Sequence, residues 1–296
     1  RTIPGREGNI KVRIYRPVPD EHLPVIVFYH GGGWAIGGLE THDAICRRLA
    51  VENGALVVAV DYRLAPEHKF PAGVEDAYDA TYWVAEHALD LGADPDKLIV
   101  MGDSAGGNFA AVVSQMARDL AGPRIAYQVL LYPAVDCVEI YPSKERYDDT
   151  PVLSREMMIY FRDQYVNQED ELADCRVSPL LADDLSNLPP ALIVTAEYDP
   201  LCDEGRIYAD RLREAGNEVD YVCYPRMVHG FISFGRLASQ SEAAFARIKQ
   251  VLKPFSVVEV TPEAVSAQTG RSTQLARLII PGLIVGGLIY RNRRRR

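Results

Sequence analysis

No two cysteines in this 296-residue sequence stand at CxxC spacing. The five that occur, Cys46, Cys137, Cys175, Cys202 and Cys223, are odd in number and scattered along a chain long enough to close a core without staples. Neither a zinc module nor a disulfide framework is expected, and no metal site is read from the sequence. Positive charge is also in short supply: 32 lysines and arginines face 41 aspartates and glutamates, giving a net charge of -9 and a pI near 5.2. Such a body repels polyanions, so nucleic acid is not an expected partner. The glycine loop at residues 31–33 lacks the lysine of GxxxxGK[ST] and the spacing of GxGxxG, which argues against a phosphate cradle. No internal repeat is evident. No charged-then-apolar leader precedes the first strand pattern, and the sequence starts at Arg1 rather than Met. The natural N-terminus is therefore expected to be absent, which leaves a lost leader or anchor open.

What the chain does have is apolar side chains, 48% of the total against 25% charged, the balance of an ordinary globular protein with one main core. Ile10 to Tyr15 alternates in the manner of a half-buried antiparallel edge strand, and Pro24 to His30 is a denser run that reads as a central strand. Strand and helix patterns then alternate: helix at Ala44 to Glu52, strand at Ala55 to Val60, helix at Val74 to Leu89, strand at Leu98 to Met101, helix at Gly106 to Leu120, strand at Ile125 to Leu131. Strands at Ala191 to Thr195 and Val219 to Tyr224, with helices at Glu204 to Ala215 and Glu242 to Leu252, continue the rhythm. This cadence predicts an α/β fold with a mostly parallel central sheet and helices on both faces. It breaks between Asp136 and Ser178, where Ser154 to Val166 reads as an amphipathic helix capped by Ser154, so an insertion standing over the sheet is expected.

Gly102-Asp103-Ser104-Ala105-Gly106 is a G-x-S-x-G pattern set directly between a strand and a helix, the context that this motif requires. Its glycines allow a sharp turn that lifts the serine hydroxyl above the strand ends, where helix amides favour developing negative charge. The alternative is an accidental small-residue turn. A serine hydroxyl is a weak nucleophile near neutral pH and needs a base, which in turn needs an orienting acid. Asp199 and His229 each follow a strand, in the chain order Ser, Asp, His, so residues beyond the strand ends can converge on Ser104. Glu197 and Asp203 compete for the acid role, Asp203 also reading as a helix N-cap; Asp199 is the preferred reading. His22, His42 and His87 follow no core strand and are read as surface or structural residues. The amides of Gly32 and Gly33, in His30-Gly31-Gly32-Gly33-Trp34, and of Ala105 are the candidate oxyanion donors.

With these motifs, together with Asp61-Tyr62-Arg63-Leu64-Ala65-Pro66-Glu67-His68, Phe70-Pro71-Ala72, Asp199-Pro200-Leu201 and His229-Gly230-Phe231, the chain resembles the hormone-sensitive-lipase-like carboxylesterases, the bacterial family IV lipolytic enzymes, over about residues 3 to 252. The resemblance implies an α/β-hydrolase fold, a Ser104, His229, Asp199 triad and an oxyanion hole at Gly32, Gly33 and Ala105. It also implies cleavage of short- and medium-chain acyl esters, no cofactor, and dimers formed through a sheet edge. His30 becomes a support of the oxyanion loop, and Tyr62 to His68 a scaffold turn. Family members carry additional cap helices ahead of the position of Arg1, so the cap here is expected to be small, reduced to the insertion at about 139–177, with a partly open pocket. Amidase, deacetylase and formamidase-like chemistry share the same intermediate and stay open as alternatives. A receptor on this fold typically lacks the catalytic histidine, and His229 is present.

The expected organisation is a catalytic domain at 1–255, a polar linker at 256–273 and a tail at 274–296. Leu278 to Tyr290 is apolar and is followed by Arg291, Arg293, Arg294, Arg295 and Arg296. A spanning helix takes about 20 apolar residues, and this run is shorter. Three readings stand: membrane association with the basic end in the cytoplasm, a disordered or neighbour-packed tail, and an artefact of gene prediction. A cytoplasmic enzyme, tied to a membrane by the tail under the first reading, is the expectation.

Overall fold

Segments that are apolar at nearly every position cannot face water on either side, so they become the middle strands of a sheet covered on both faces. In the computed structural model, which describes residues 1–19 and 22–256, that rule sets the architecture. The strands β1 (Thr2–Gly5), β2 (Gly8–Tyr15), β3 (Leu23–Tyr29), β4 (Leu56–Asp61), β5 (Ala93–Asp103), β6 (Tyr127–Leu131), β7 (Ala191–Tyr198) and β8 (Val219–Val228) form one eight-stranded sheet. Its order is β1-β2-β4-β3-β5-β6-β7-β8, antiparallel only at β1–β2 and β2–β4. Every residue of β3 is buried, as its unbroken apolar pattern requires.

The helices α1 (Asp43–Asn53), α2 (Ala72–Glu86), α3 (Ala105–Asp119), α6 (Cys202–Glu214) and α7 (Ser239–Leu252) cover the sheet. Alternate residues of β3 belong to two cores: Val25, Val27 and Tyr29 lie in one core with Val74 of α2, Phe109 of α3 and Tyr208 of α6. Ile26 and Phe28 pack on the other face with Leu49 of α1 and Phe245 of α7. Two short helices, α4 (Pro142–Arg146) and α5 (Arg155–Tyr165), lie in the insertion between β6 and β7. The Ser154 Oγ accepts the Met157 amide at 3.2 Å and caps α5, as its sequence position predicts.

One expectation is corrected. Ile10 to Tyr15 is antiparallel but not an edge, because β1 pairs outside it, Ile3 opposite Ile10. Four residues containing Pro4 and Gly5 are too short to carry a readable alternation. The expected tail, and all of the linker except Ser256, lie outside the described residues.

Candidate active site

β5 ends at Asp103 and α3 begins at Ala105, so Ser104 alone makes the turn, at φ 55° and ψ -119°. An L-residue avoids this region, and the conformation persists because its surroundings over-determine it. The Ser104 amide donates to the Leu131 carbonyl at 2.8 Å, and the Ser104 carbonyl accepts the Asn108 amide at 2.9 Å. Space does the rest: a Cβ on Gly106 would lie 2.0 Å from the Tyr29 carbonyl oxygen, so only glycine lets the helix start this close to β3.

The loop after β7 carries Asp199, whose side chain is fully buried. Its Oδ1 accepts the Leu201 amide at 2.9 Å, which holds the carboxylate in a tight turn at the start of α6. Its Oδ2 lies 2.8 Å from Nδ1 of His229, the residue just beyond β8. An ionised carboxylate only accepts, so Nδ1 carries the proton and donates it, leaving the Nε2 lone pair for the partner on the far side. That partner is Ser104 Oγ, at 2.8 Å. The Tyr132 ring packs edge-on against the imidazole with centroids 4.9 Å apart, limiting its rotation.

Neither competing acid reaches the imidazole. Glu197 accepts the Arg226 amide at 2.6 Å and Asp203 accepts the Ser143 amide at 2.9 Å. Asp203 is also not the N-cap that its sequence position suggests: α6 starts at Cys202, the cap is Leu201, and Asp203 lies within the first turn, drawn outward to Ser143.

The glycine loop expected to hold the oxyanion donors follows β3. The Gly32 carbonyl accepts the Ala35 and Ile36 amides at 3.1 and 3.0 Å, which curls the loop and turns it back on itself. Among the described residues the amides of Gly32 and Gly33 have no acceptor, and Ala105 is the first helical residue, whose amide has no intrahelical partner. Three donors are thus uncommitted beside the serine loop and the loop before it. From the cap, the Phe161 ring of α5 roofs this loop so closely that a Cβ on Gly33 would fall 2.2 Å from its Cγ.

Behind the loop lies a buried polar cluster that sequence reading did not assemble. Asp103 Oδ1 accepts the Gly31 amide at 2.9 Å, and His42 Nε2 stands 3.1 Å from the same oxygen. His30 lies against the same loop: its Nδ1 meets the Gly31 carbonyl at 2.8 Å, and Tyr62, stacked on its ring, donates to the His30 carbonyl at 2.6 Å. Burial pushes the Asp103 carboxyl up, but His42, His30 and the Gly31 amide outweigh it and leave the group below its usual range. Burial pushes His42 down, yet the Asp103 carboxylate raises it above the ordinary value. For His30 burial dominates, outweighing the Gly31 carbonyl and the nearby Asp103 and Asp61 carboxylates, and drives it down to about 4. The signal available in the sequence was a charged residue inside an otherwise apolar strand end, Met101-Gly102-Asp103.

A second missed cluster ties cap to sheet. The fully buried Glu204 of α6 accepts the Val135 amide at 2.8 Å and pairs with Lys144 of α4 at 2.7 Å. Next to it Ser143 Oγ donates to the Pro200 carbonyl at 2.7 Å. Among the described residues no group of histidine, cysteine or acidic side chains could hold a metal ion, and no helix is long and apolar enough to cross a membrane.

A serine, histidine and carboxylate linked in series at the strand ends of such a sheet are the equipment of a serine hydrolase. The family model described as alpha/beta hydrolase fold matches residues 26–233. Carboxylesterase NlhH of Mycobacterium tuberculosis is 46% identical over 259 residues, covering 86% of this chain and 81% of that protein. An arylesterase of Saccharolobus solfataricus is 39% identical over 83% of this chain and 80% of its own length. Among solved structures, a hyperthermophilic esterase from the archaeon Pyrobaculum calidifontis is 49% identical, with a TM-score of 0.84, covering 86% of this chain and 82% of that one. The chain belongs to this α/β-hydrolase family and, within it, to the hormone-sensitive-lipase-like carboxylesterases.

Proposed function

We propose that the chain is a serine carboxylesterase cleaving short- to medium-chain acyl esters, with Ser104, His229 and Asp199 as triad and Gly32, Gly33 and Ala105 as oxyanion donors. The observation that carries this is the unbroken hydrogen-bond series from Ser104 Oγ through His229 to Asp199, both links at 2.8 Å. Ser104 Oγ attacks the ester carbonyl while its proton passes to His229 Nε2, and the carbonyl oxygen takes its negative charge among the three amides. Asp199 holds the imidazole in the accepting tautomer and stabilises the cation that forms. The proton then goes to the leaving alkoxide, releasing the alcohol and leaving Ser104 acylated. Water, deprotonated by the same histidine, splits the acyl-enzyme and returns the serine.

The test is hydrolysis of p-nitrophenyl esters from acetate to palmitate by wild type and Ser104→Ala. Rates peaking at short to medium chains and lost in the variant are expected; equal rates for the two proteins would remove the nucleophile assignment.

Two associations complete the proposal. A homodimer through the sheet edge is supported by β8, which lies at one end of the sheet; sedimentation of wild type against a chain with Val219 and Tyr221, whose amides face away from β7, replaced by proline checks it. Attachment of a cytoplasmic enzyme to a membrane through the apolar, arginine-ended segment 274–296 is supported by sequence alone. Equal membrane fractionation of the full chain and a chain ending at Lys253 would exclude it.

A further inference from the structure

His42 takes no part in the proton transfers of ester hydrolysis described above. Its side chain is nevertheless only 13% exposed, a costly place for an imidazole unless both ring nitrogens are satisfied. They are. Nε2 stands 3.1 Å from Asp103 Oδ1 and 3.3 Å from Oδ2, so its N–H straddles a carboxylate that can only accept. Nδ1 meets Thr41 Oγ1 at 2.8 Å, and that hydroxyl also accepts the Gly38 amide at 3.1 Å. The ring is therefore fixed in its own loop before it reaches Asp103.

The other end of the carboxylate is equally constrained. Asp103 Oδ1 accepts the Gly31 amide, and the two groups touch so tightly that a Cβ on Gly31 would lie 2.5 Å from Oδ2. Gly31 directly precedes Gly32 and Gly33, and Asp103 directly precedes Ser104. One carboxylate thus joins the loop that offers oxyanion donors to the turn that offers the nucleophile. A carboxylate held by a single amide can pivot about its χ2 bond, which a second donor prevents.

We propose that His42 is a positioning residue for the oxyanion hole: it fixes the Asp103 carboxylate, which fixes the Gly31 amide and hence the direction of the Gly32 and Gly33 amides. This rests on the reading of Ser104 as nucleophile and of those amides as donors. Hydrogen bonds to a developing oxyanion weaken steeply with misalignment, and they act on the transition state rather than on the bound ester. Loss of His42 therefore acts on kcat and leaves KM nearly in place.

The experiment compares His42→Leu, which keeps bulk without a donor, with His42→Gln, whose amide supplies one N–H toward Asp103, in the full chain. Steady-state hydrolysis of p-nitrophenyl butyrate is measured together with inhibition by an alkyl trifluoromethyl ketone. The ketone carbon bonds to Ser104 Oγ, the serine proton moves to His229, and the ketone oxygen becomes an oxyanion in the hole. For His42→Leu, kcat falls about 10- to 100-fold, KM stays within about threefold, and ketone affinity weakens by the same factor as kcat. His42→Gln recovers kcat and ketone affinity to within about fivefold of wild type. Rates are normalised to the folded fraction from circular dichroism. Should the leucine variant not fold, His42→Asn replaces it, since its shorter amide reaches Thr41 but not Asp103 and should behave as leucine does. An unchanged ketone affinity alongside a lowered kcat, or glutamine no better than leucine, overturns the proposal. Ser104→Ala is run in parallel: wild-type hydrolysis by that variant overturns the nucleophile reading itself, an outcome separate from any His42 result.

Discussion

Lys144 Nζ sits 2.7 Å from Glu204 Oε2, joining the first helix of the cap to the helix that directly follows the Asp199 loop. Removing one partner of a buried pair leaves an uncompensated charge, so Lys144→Met is expected to cost about 3–5 kcal/mol of unfolding free energy. Glu204→Gln in the same chain removes the stranded charge and still accepts the Val135 amide, so the double variant recovers at least half of the loss. Urea unfolding of the two variants checks this.

Asp199→Asn is expected to lower kcat by about 10⁴-fold, because an amide facing Nδ1 favours the wrong imidazole tautomer. Combined with Ser104→Ala it should cost almost nothing further, since the members of a triad, as proposed here, act as a unit. Additive losses would mean that the two residues act independently, and kcat values for both single variants and the double variant decide it.

Gly33 stands at φ +57° with the Phe161 ring where a Cβ would go. Gly33→Ala therefore meets both a left-handed backbone cost of about 1–2 kcal/mol and a collision. Only the collision can be relieved from outside. Gly33→Ala/Phe161→Ala should regain part of the kcat lost by Gly33→Ala alone, and a double-mutant cycle on kcat/KM measures the coupling.

The pH dependence of stability follows from the His42–Asp103 pair. His42 has a folded value above its ordinary 6.5, so its contribution is complete below about pH 6.5 and is lost as pH rises through the folded value. Asp103 has a folded value below its ordinary 3.8, so its contribution is complete above about pH 4 and is lost as pH falls through the folded value. The stability difference between wild type and His42→Gln should therefore be largest between about pH 4 and 6.5 and shrink on the alkaline side. Urea unfolding at a series of pH values measures it, and a difference that grows with alkalinity would contradict the pairing.

The residues of the proposed triad and oxyanion loop were legible in the sequence because their chemistry is carried by local patterns. A serine between glycines at a strand-to-helix turn announces itself, and Asp199 and His229 follow strands whose apolar runs are unambiguous. What was not legible depends on partners far away in the chain. His42 looks like a surface histidine until β5 brings Asp103 beside it, 61 residues later. Asp203 has the composition of a helix cap, and only the cap residue Ser143 draws it away from that role. β1 was missed for a different reason: with Pro4 and Gly5 in four residues, its pairing with β2 leaves no periodic trace.

The ring that roofs the oxyanion loop, Phe161, belongs to the insertion between β6 and β7, whereas the amides beneath it belong to the sheet loops. Donor geometry and local dielectric are thus inherited from different segments of chain. An altered insertion can let water in over the donors, or exclude it, without moving one of them. The same ring also fills the space where a Cβ of Gly33 would stand, so its size sets the room above the loop. Change in that segment therefore tunes polarity and shape together, and a variant selected for a bulkier ester would carry a wetter hole as an unselected companion.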